Sequence, residues 1–265
     1  MRKPPDLEAL TDSEQLARAV VLHLGLGVMA FAALCVVQKT LLWVPLIVIL
    51  LYMPGYVWRR RVSPFWQASR AMMRGDYRRA ADEFGRLAAE LEAHPELLRG
   101  QQWLDFHNVF PYLQMARINA GVCRLKLEQA DQAEALFQRV VRDEPANYLA
   151  INNLGMVCWK RGERDAAIRH FSHALDTNRY YEPARINLGE SYLEQGCYQE
   201  AEATLNAVAA SARDARYEYL RAKALLGLGR KSDARAHCTL GVRFNPEHEP
   251  LRELMQQIEA EGVTR

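Results

Sequence analysis

The chain has 265 residues, 49% of them hydrophobic and 25% charged, a balance that excludes wholesale disorder. A net charge of +2 is too small to suggest, on its own, a nucleic-acid-binding chain, and no nucleic-acid partner is expected. The mean hydropathy of −0.25 averages two unlike regions: residues 19–58 are almost uncharged, while residues 59–265 are rich in Arg, Glu and Ala. Residues 1–61 hold seven basic and four acidic side chains, and the remainder holds 27 and 28, so the basic excess sits beside the apolar region.

Residues 1–18 form a short N-terminal segment, in which Thr11-Asp12-Ser13-Glu14 fits a capping box that would open a helix near Asp12. Ala19 to Val37 is then a run of 19 residues without Asp, Glu, Lys or Arg, and Thr40 to Trp58 is a second of equal length. At about 1.5 Å per residue each run spans roughly 28 Å, the thickness of a bilayer's hydrocarbon core. Only Gln38 and Lys39 separate them, which predicts an antiparallel transmembrane hairpin over 19–58. Trp43 near one end of the second run, and Tyr52, Tyr56 and Trp58 near the other, stand where aromatic belts form. Arg18 and Arg59–Arg61 flank the hairpin and Lys39 alone is at its tip, so the positive-inside rule puts both termini and the following domain in the cytoplasm. A cleaved signal peptide fits poorly, because the leader is long and acidic and no small-x-small site follows the run. His23, inside the first span, reads as a residue near the interface. Arg outnumbers Lys 28 to 6, which hints at a GC-rich bacterial genome and a bacterial inner membrane.

Beyond the hairpin the sequence repeats. Gly121, Gly155 and Gly189 are spaced by 34 and 34; Ala133, Ala167, Ala201 and Ala234 by 34, 34 and 33. Phe137, Phe171 and Leu205 keep the step, and Gly162, Gly196 and Gly229 recur between them. A fixed period of this length marks a solenoid of helix pairs, each unable to bury its apolar side alone. The first small residue and the alanine permit close approach of the two helices. The large residue four places after the alanine fills the gap against the next unit, and the last glycine makes the turn. Leu188-Gly189-x-x-Tyr192 with Gly196-x-Tyr198-x-x-Ala201 resembles the tetratricopeptide repeat most closely. Leu154-Gly155 with Gly162, Ala167, Phe171 and Ala174 is a second copy, and Gly75-Asp76-Tyr77-x-x-Ala80-x-x-x-Phe84 matches the second half of the pattern. With the predicted hairpin, the resemblance gives an all-α expectation: an N-terminal transmembrane hairpin, then about five repeats over 59–246, then a capping helix over 247–265 read from the apolar stripe of Leu251, Leu254, Met255 and Ile258. From Ala80 to Ala133 is 53 residues, so 19 extra residues interrupt the array near 93–113. They include Trp103, Phe106, Phe110 and Tyr112, and an additional helix is expected near Pro95–His107, with Pro111 opening the next one.

No catalytic signature is present, and neither an enzymatic activity nor a cofactor is expected. Cys35, Cys123, Cys158, Cys197 and Cys238 contain no Cys-x-x-Cys pair, and Cys123, Cys158 and Cys238 fall at inward helix positions. His170 and His173 share a helix face without an evident third ligand, so no metal site is expected.

Asn119, Asn153 and Asn187 recur every 34 residues, each two before its unit's glycine. Equal steps place three amides in a row on the inner wall, where each offers a donor and an acceptor to a peptide backbone. The row resembles the asparagine ladder in the repeat domain of O-linked N-acetylglucosamine transferase, and that resemblance implies peptide capture. Asn152, Met156, Trp159, Tyr219 and Lys223 complete the expected partner-binding set, with Leu149, Ile186, Glu190 and Leu193 as inward neighbours. Bracing of adjacent helices is the alternative role for the amides, and membership of the inter-repeat core the alternative for Leu149 and Ile186. The family's two-carboxylate clamp is disfavoured, because Ile118, Val122, Asn152 and Met156 stand where Lys and Asn are needed. The sequence therefore points to a membrane-anchored adaptor that recruits a protein partner, a peptide segment or a helix, with lipid contact through 19–58. The alternative is a structural or assembly subunit whose hairpin makes the main contacts.

Overall fold

Each step of the repeat is a pair of helices joined by a three-residue turn. In this computed structural model residues 21–29, 63–94 and 112–263 are described. The chain divides into two units, Met1–Ser63 and Pro64–Arg265.

In the first unit residues 21–29 form helix α1. Its Val21, Leu22, Leu26, Val28 and Met29 are exposed. The remainder of the predicted hairpin, and the capping box before it, lie outside the described residues. Among the described residues no helix is long and apolar enough to cross a membrane.

The second unit is all-helical among the described residues. The pairs are α2 (Ser63–Met73) with α3 (Tyr77–Ala93), α4 (Tyr112–Lys126) with α5 (Ala130–Asp143), and α6 (Tyr148–Lys160) with α7 (Arg164–Thr177). They continue with α8 (Glu182–Glu194) and α9 (Tyr198–Asn206), then α10 (Ala215–Gly227) and α11 (Lys231–Phe244), and close on the single helix α12 (Glu249–Val263). The motif around Gly75 matched only half a repeat, yet α2 supplies its missing first helix. Tyr112 opens α4 and meets Phe65 of α2 edge-to-face at 5.6 Å. The rest of the insertion, with the helix expected near Pro95–His107, lies outside the described residues.

Local chemistry sets the boundaries. Asp76, Asn147 and Asp214 cap α3, α6 and α10 by accepting from the backbone N–H of Arg79, Ala150 and Tyr217 at 3.2, 3.1 and 2.8 Å. The turns inside four pairs hold a glycine at φ between +73° and +80° (Gly75, Gly162, Gly196, Gly229). In the α4–α5 turn Glu128 occupies the same place at φ +59°.

Packing inside a pair depends on size matching. A Cβ built on Gly121, Gly155 or Gly189 would lie 2.5–2.6 Å from the side chain of Phe137, Phe171 or Leu205 in the same pair. The large residue thus covers its own glycine as well as filling the gap toward the next pair, as where Phe171 clusters with Leu188 of α8. In the last pair both partners change together: Ala222 and Cys238 share a cluster and are both fully buried. Between pairs, each second helix packs on the first helix of the following pair, and from α4 onward the first helices also touch one another. The first helices therefore form a continuous inner wall. Gly241 repeats the device at the end of the array, where an added Cβ would lie 2.5 Å from Leu251 of α12.

Candidate functional site on the wall of first helices

Every residue of the expected partner-binding set falls on the inner wall, on α4, α6, α8 or α10, but the side chains differ in what they do there. The three amides of the ladder are not equivalent. Asn119 on α4 is half-buried. Asn153 on α6 is half-buried and donates through Nδ2 to the Leu149 carbonyl of its own helix at 2.8 Å. Asn187 on α8 is 7% exposed; its Nδ2 donates to Oδ1 of Asn152 at 3.0 Å, and its Oδ1 accepts from Nη2 of Arg216 at 3.0 Å. Arg216 also pairs with Glu190, so α6, α8 and α10 are stitched by one polar network. Asn152 is itself buried within this network. Sequence reasoning missed Arg216, because a charge at the second position of a repeat carries no motif.

Apolar side chains frame these polar groups. Leu149 and Met156 are half-buried against the core between α4, α5 and α6. Ile186 and Leu193 are buried in the core between α8, α9 and α10, so of the inward neighbours these two belong to the framework. Trp159 is half-buried; the Arg164 guanidinium lies 5.7 Å from its ring centroid and donates to its carbonyl at 2.8 Å. Its indole Nε1 is buried and finds no hydrogen-bond partner among the described residues. Such orphaned donors are rare in folded proteins. On α10, Tyr219 is half-buried between the exposed Lys223 ammonium, 5.4 Å from its ring, and His248 at 5.8 Å. The exposed surface of the wall thus offers Leu149, Met156, Trp159 and Tyr219 as apolar anchors, with Asn153 and Lys223 as polar points between them.

Two buried arginines, paired with acids nearer the surface, hold this wall in place. Arg117 on α4 is 7% exposed by side chain and donates to Glu92 of α3 at 2.8 Å and to Asp143 of α5. The guanidinium hydrogen bond holds the Asp143 carboxyl below its ordinary range. Arg221 on α10 donates to Glu202 of α9 at 2.9 Å and to Asn206 at 3.1 Å. The thiols of Cys123 and Cys238 are fully buried, and desolvation pushes both up to about 11, so they are protonated packing groups. Among the described residues no group of three His, Cys, Asp or Glu side chains is placed to hold a metal ion.

Architecture and wall together define a helical-repeat solenoid of the kind that presents one face of stacked first helices. Residues 120–182 and 159–224 each match a family model described as a tetratricopeptide repeat. Solved structures agree on the fold. The chain is similar to a thermophilic tetratricopeptide-repeat protein of Thermus thermophilus, at 18% identity over 76% of this chain and 99% of that one, with a TM-score of 0.57. A tetratricopeptide-repeat protein from Parabacteroides merdae aligns at 13% identity over 76% and 72% of the two chains, with a TM-score of 0.54. MamA from Desulfovibrio magneticus aligns at 20% identity over 57% and 85%, with a TM-score of 0.52. No curated protein sequence matches the chain.

Proposed function

We propose that the protein is a non-enzymatic, membrane-anchored adaptor, which captures a protein segment on the wall of first helices and holds it at the bilayer. The observation that carries the capture is the surface of α6 and its neighbours. There Leu149, Met156 and Trp159 are half-buried apolar side chains beside the half-buried amide of Asn153, and the buried indole Nε1 of Trp159 has no hydrogen-bond partner among the described residues. Apolar anchors with a few directed polar groups suit an extended peptide or an amphipathic helix. Asn153 is the ladder member we assign to the partner, since Asn187 is already engaged by Asn152 and Arg216. Anchoring is supported by the two charge-free runs and by the outward apolar side chains of α1, which suit lipid better than water. A tether concentrates the solenoid near other membrane proteins without adding a contact.

A photo-crosslinking residue at Met156 or Trp159 of the full chain, in native membranes, tests the reading. It should trap a defined protein, and the same probe on the outward side of α7 should not. Trapping only from positions in 19–58 would instead favour an assembly subunit working through its hairpin. Alkaline phosphatase fused to the C-terminus should be inactive if the solenoid is cytoplasmic.

A further inference from the structure

The exposed face of α2 combines large apolar side chains with basic charge alone. Trp66 and Met73 are 55% and 75% exposed and lie seven residues apart, one above the other on the helix. Arg70 lies between them and Arg74 follows at the helix end, both exposed. α2 has no acidic residue, and the stretch 59–74 contains five arginines and no Asp or Glu. The acids at the start of α3 are already occupied: Asp76 caps that helix, Asp82 pairs with Arg124 at 2.8 Å and Glu83 with Arg79 at 2.7 Å. An indole and a thioether flanked by guanidinium groups make an amphipathic strip, apolar along its middle and cationic at its side.

We propose that this face of α2 docks on the headgroup region of an anionic lipid bilayer. Trp66 and Met73 would enter the interface, where amphipathic rings settle, and Arg70 and Arg74 would meet lipid phosphates. Charge complementarity selects this occupant: a second copy of α2 would oppose arginine to arginine, whereas an anionic leaflet attracts each one. The inference goes beyond the hairpin, because a chain with no span would still dock through α2.

Hydrogen exchange of the full chain with vesicles of phosphatidylcholine alone, or with added phosphatidylglycerol, tests it. Alkaline carbonate extraction reports separately whether the chain is integral, so failure of the hairpin and failure of the docking are distinguishable. Residues 63–74 should exchange more slowly only when phosphatidylglycerol is present. Arg70→Glu with Arg74→Glu should lower the docking constant on the order of thirtyfold or more, since each basic residue near an anionic surface is worth about one kcal/mol. Trp66→Ala should weaken it while leaving the salt dependence intact. The same charge change placed on the exposed Arg243 and Arg252 should leave the protection unchanged. Equal exchange with both lipids, protection that grows with protein concentration without lipid, or equal loss in the Arg243 and Arg252 control would each overturn the proposal.

Discussion

At the scale of single residues, identical letters at identical steps have acquired different work. Asn187 joins three first helices, so Asn187→Ala leaves Asn152 and Arg216 short of a partner. It should cost about 1–3 kcal/mol, read as a lower urea midpoint. Asn153→Ala loses one bond to its own helix and gains helix propensity, so stability should change little. If Asn153 faces the partner, its loss should instead weaken capture on the order of tenfold. Partner affinity and melting, measured on both variants, separate the roles, and unchanged affinity in Asn153→Ala would remove the ladder from the function. Glu128 is the complementary case. It holds φ +59° where the other four turns hold glycine, and it pairs with Lys160 at the surface. Left-handed backbone costs a non-glycine residue roughly 1–2 kcal/mol, and an exposed ion pair contributes less than about 1 kcal/mol. Glu128→Gly should therefore raise the melting temperature by a few degrees.

Among the elements, α12 decides whether the array ends cleanly. Leu251 is fully buried, and Gly241 of α11 admits it so closely that any Cβ there would collide. Gly241→Val should destabilise by about 1–3 kcal/mol through overpacking against Leu251 and Glu218. Pairing it with Leu251→Ala should cost less than the sum of the two single changes, because the cavity receives the added methyls. A strictly additive double variant would show that α12 does not seat there. Titration acts on an element too. Burial, with His173 nearby, lowers the His170 imidazole on α7 below its ordinary 6.5. A depressed imidazole takes up protons less readily folded than unfolded, so the unfolded chain binds more protons below about pH 6.5. Stability should fall as pH drops through that value and level off below the folded pKa. Urea midpoints between about pH 7.5 and 5.5 should show the slope, and His170→Gln should flatten it.

For the whole molecule, the division at Ser63 and Pro64 makes a separable solenoid the natural expectation. Its stability is a sum of pair-internal contacts, such as Phe171 on Gly155, and of interfaces between neighbouring pairs. A fragment covering 62–265 should retain helical circular dichroism and be released from membranes by salt, once α2 no longer has a tether beside it. Irreversible aggregation of that fragment would show that the first unit completes the core. Each interface is local, so loss of one should shorten the cooperative array before it unfolds the remainder.

Much of this was legible from spacing alone. The step of 34 residues, the small residue opposite a large one, and the apolar stripe of Leu251, Leu254 and Ile258 are local rules repeated, and each repeat obeys the same sterics. The glycine turns were legible for the same reason, since positive φ selects glycine wherever it recurs. Glu128 was not, because a residue tolerated against its preference leaves no signature. Nor was Ala222 with Cys238 readable as a matched pair until the two were brought together by packing. Only tertiary structure divided the asparagine row. Asn187 faces a following unit that brings Arg216, while the corresponding place in the unit after Asn153 is Pro183, which has no side-chain donor. Periodicity determines where a side chain stands along the wall; what it bonds to is set by the neighbour that the next turn of the solenoid delivers.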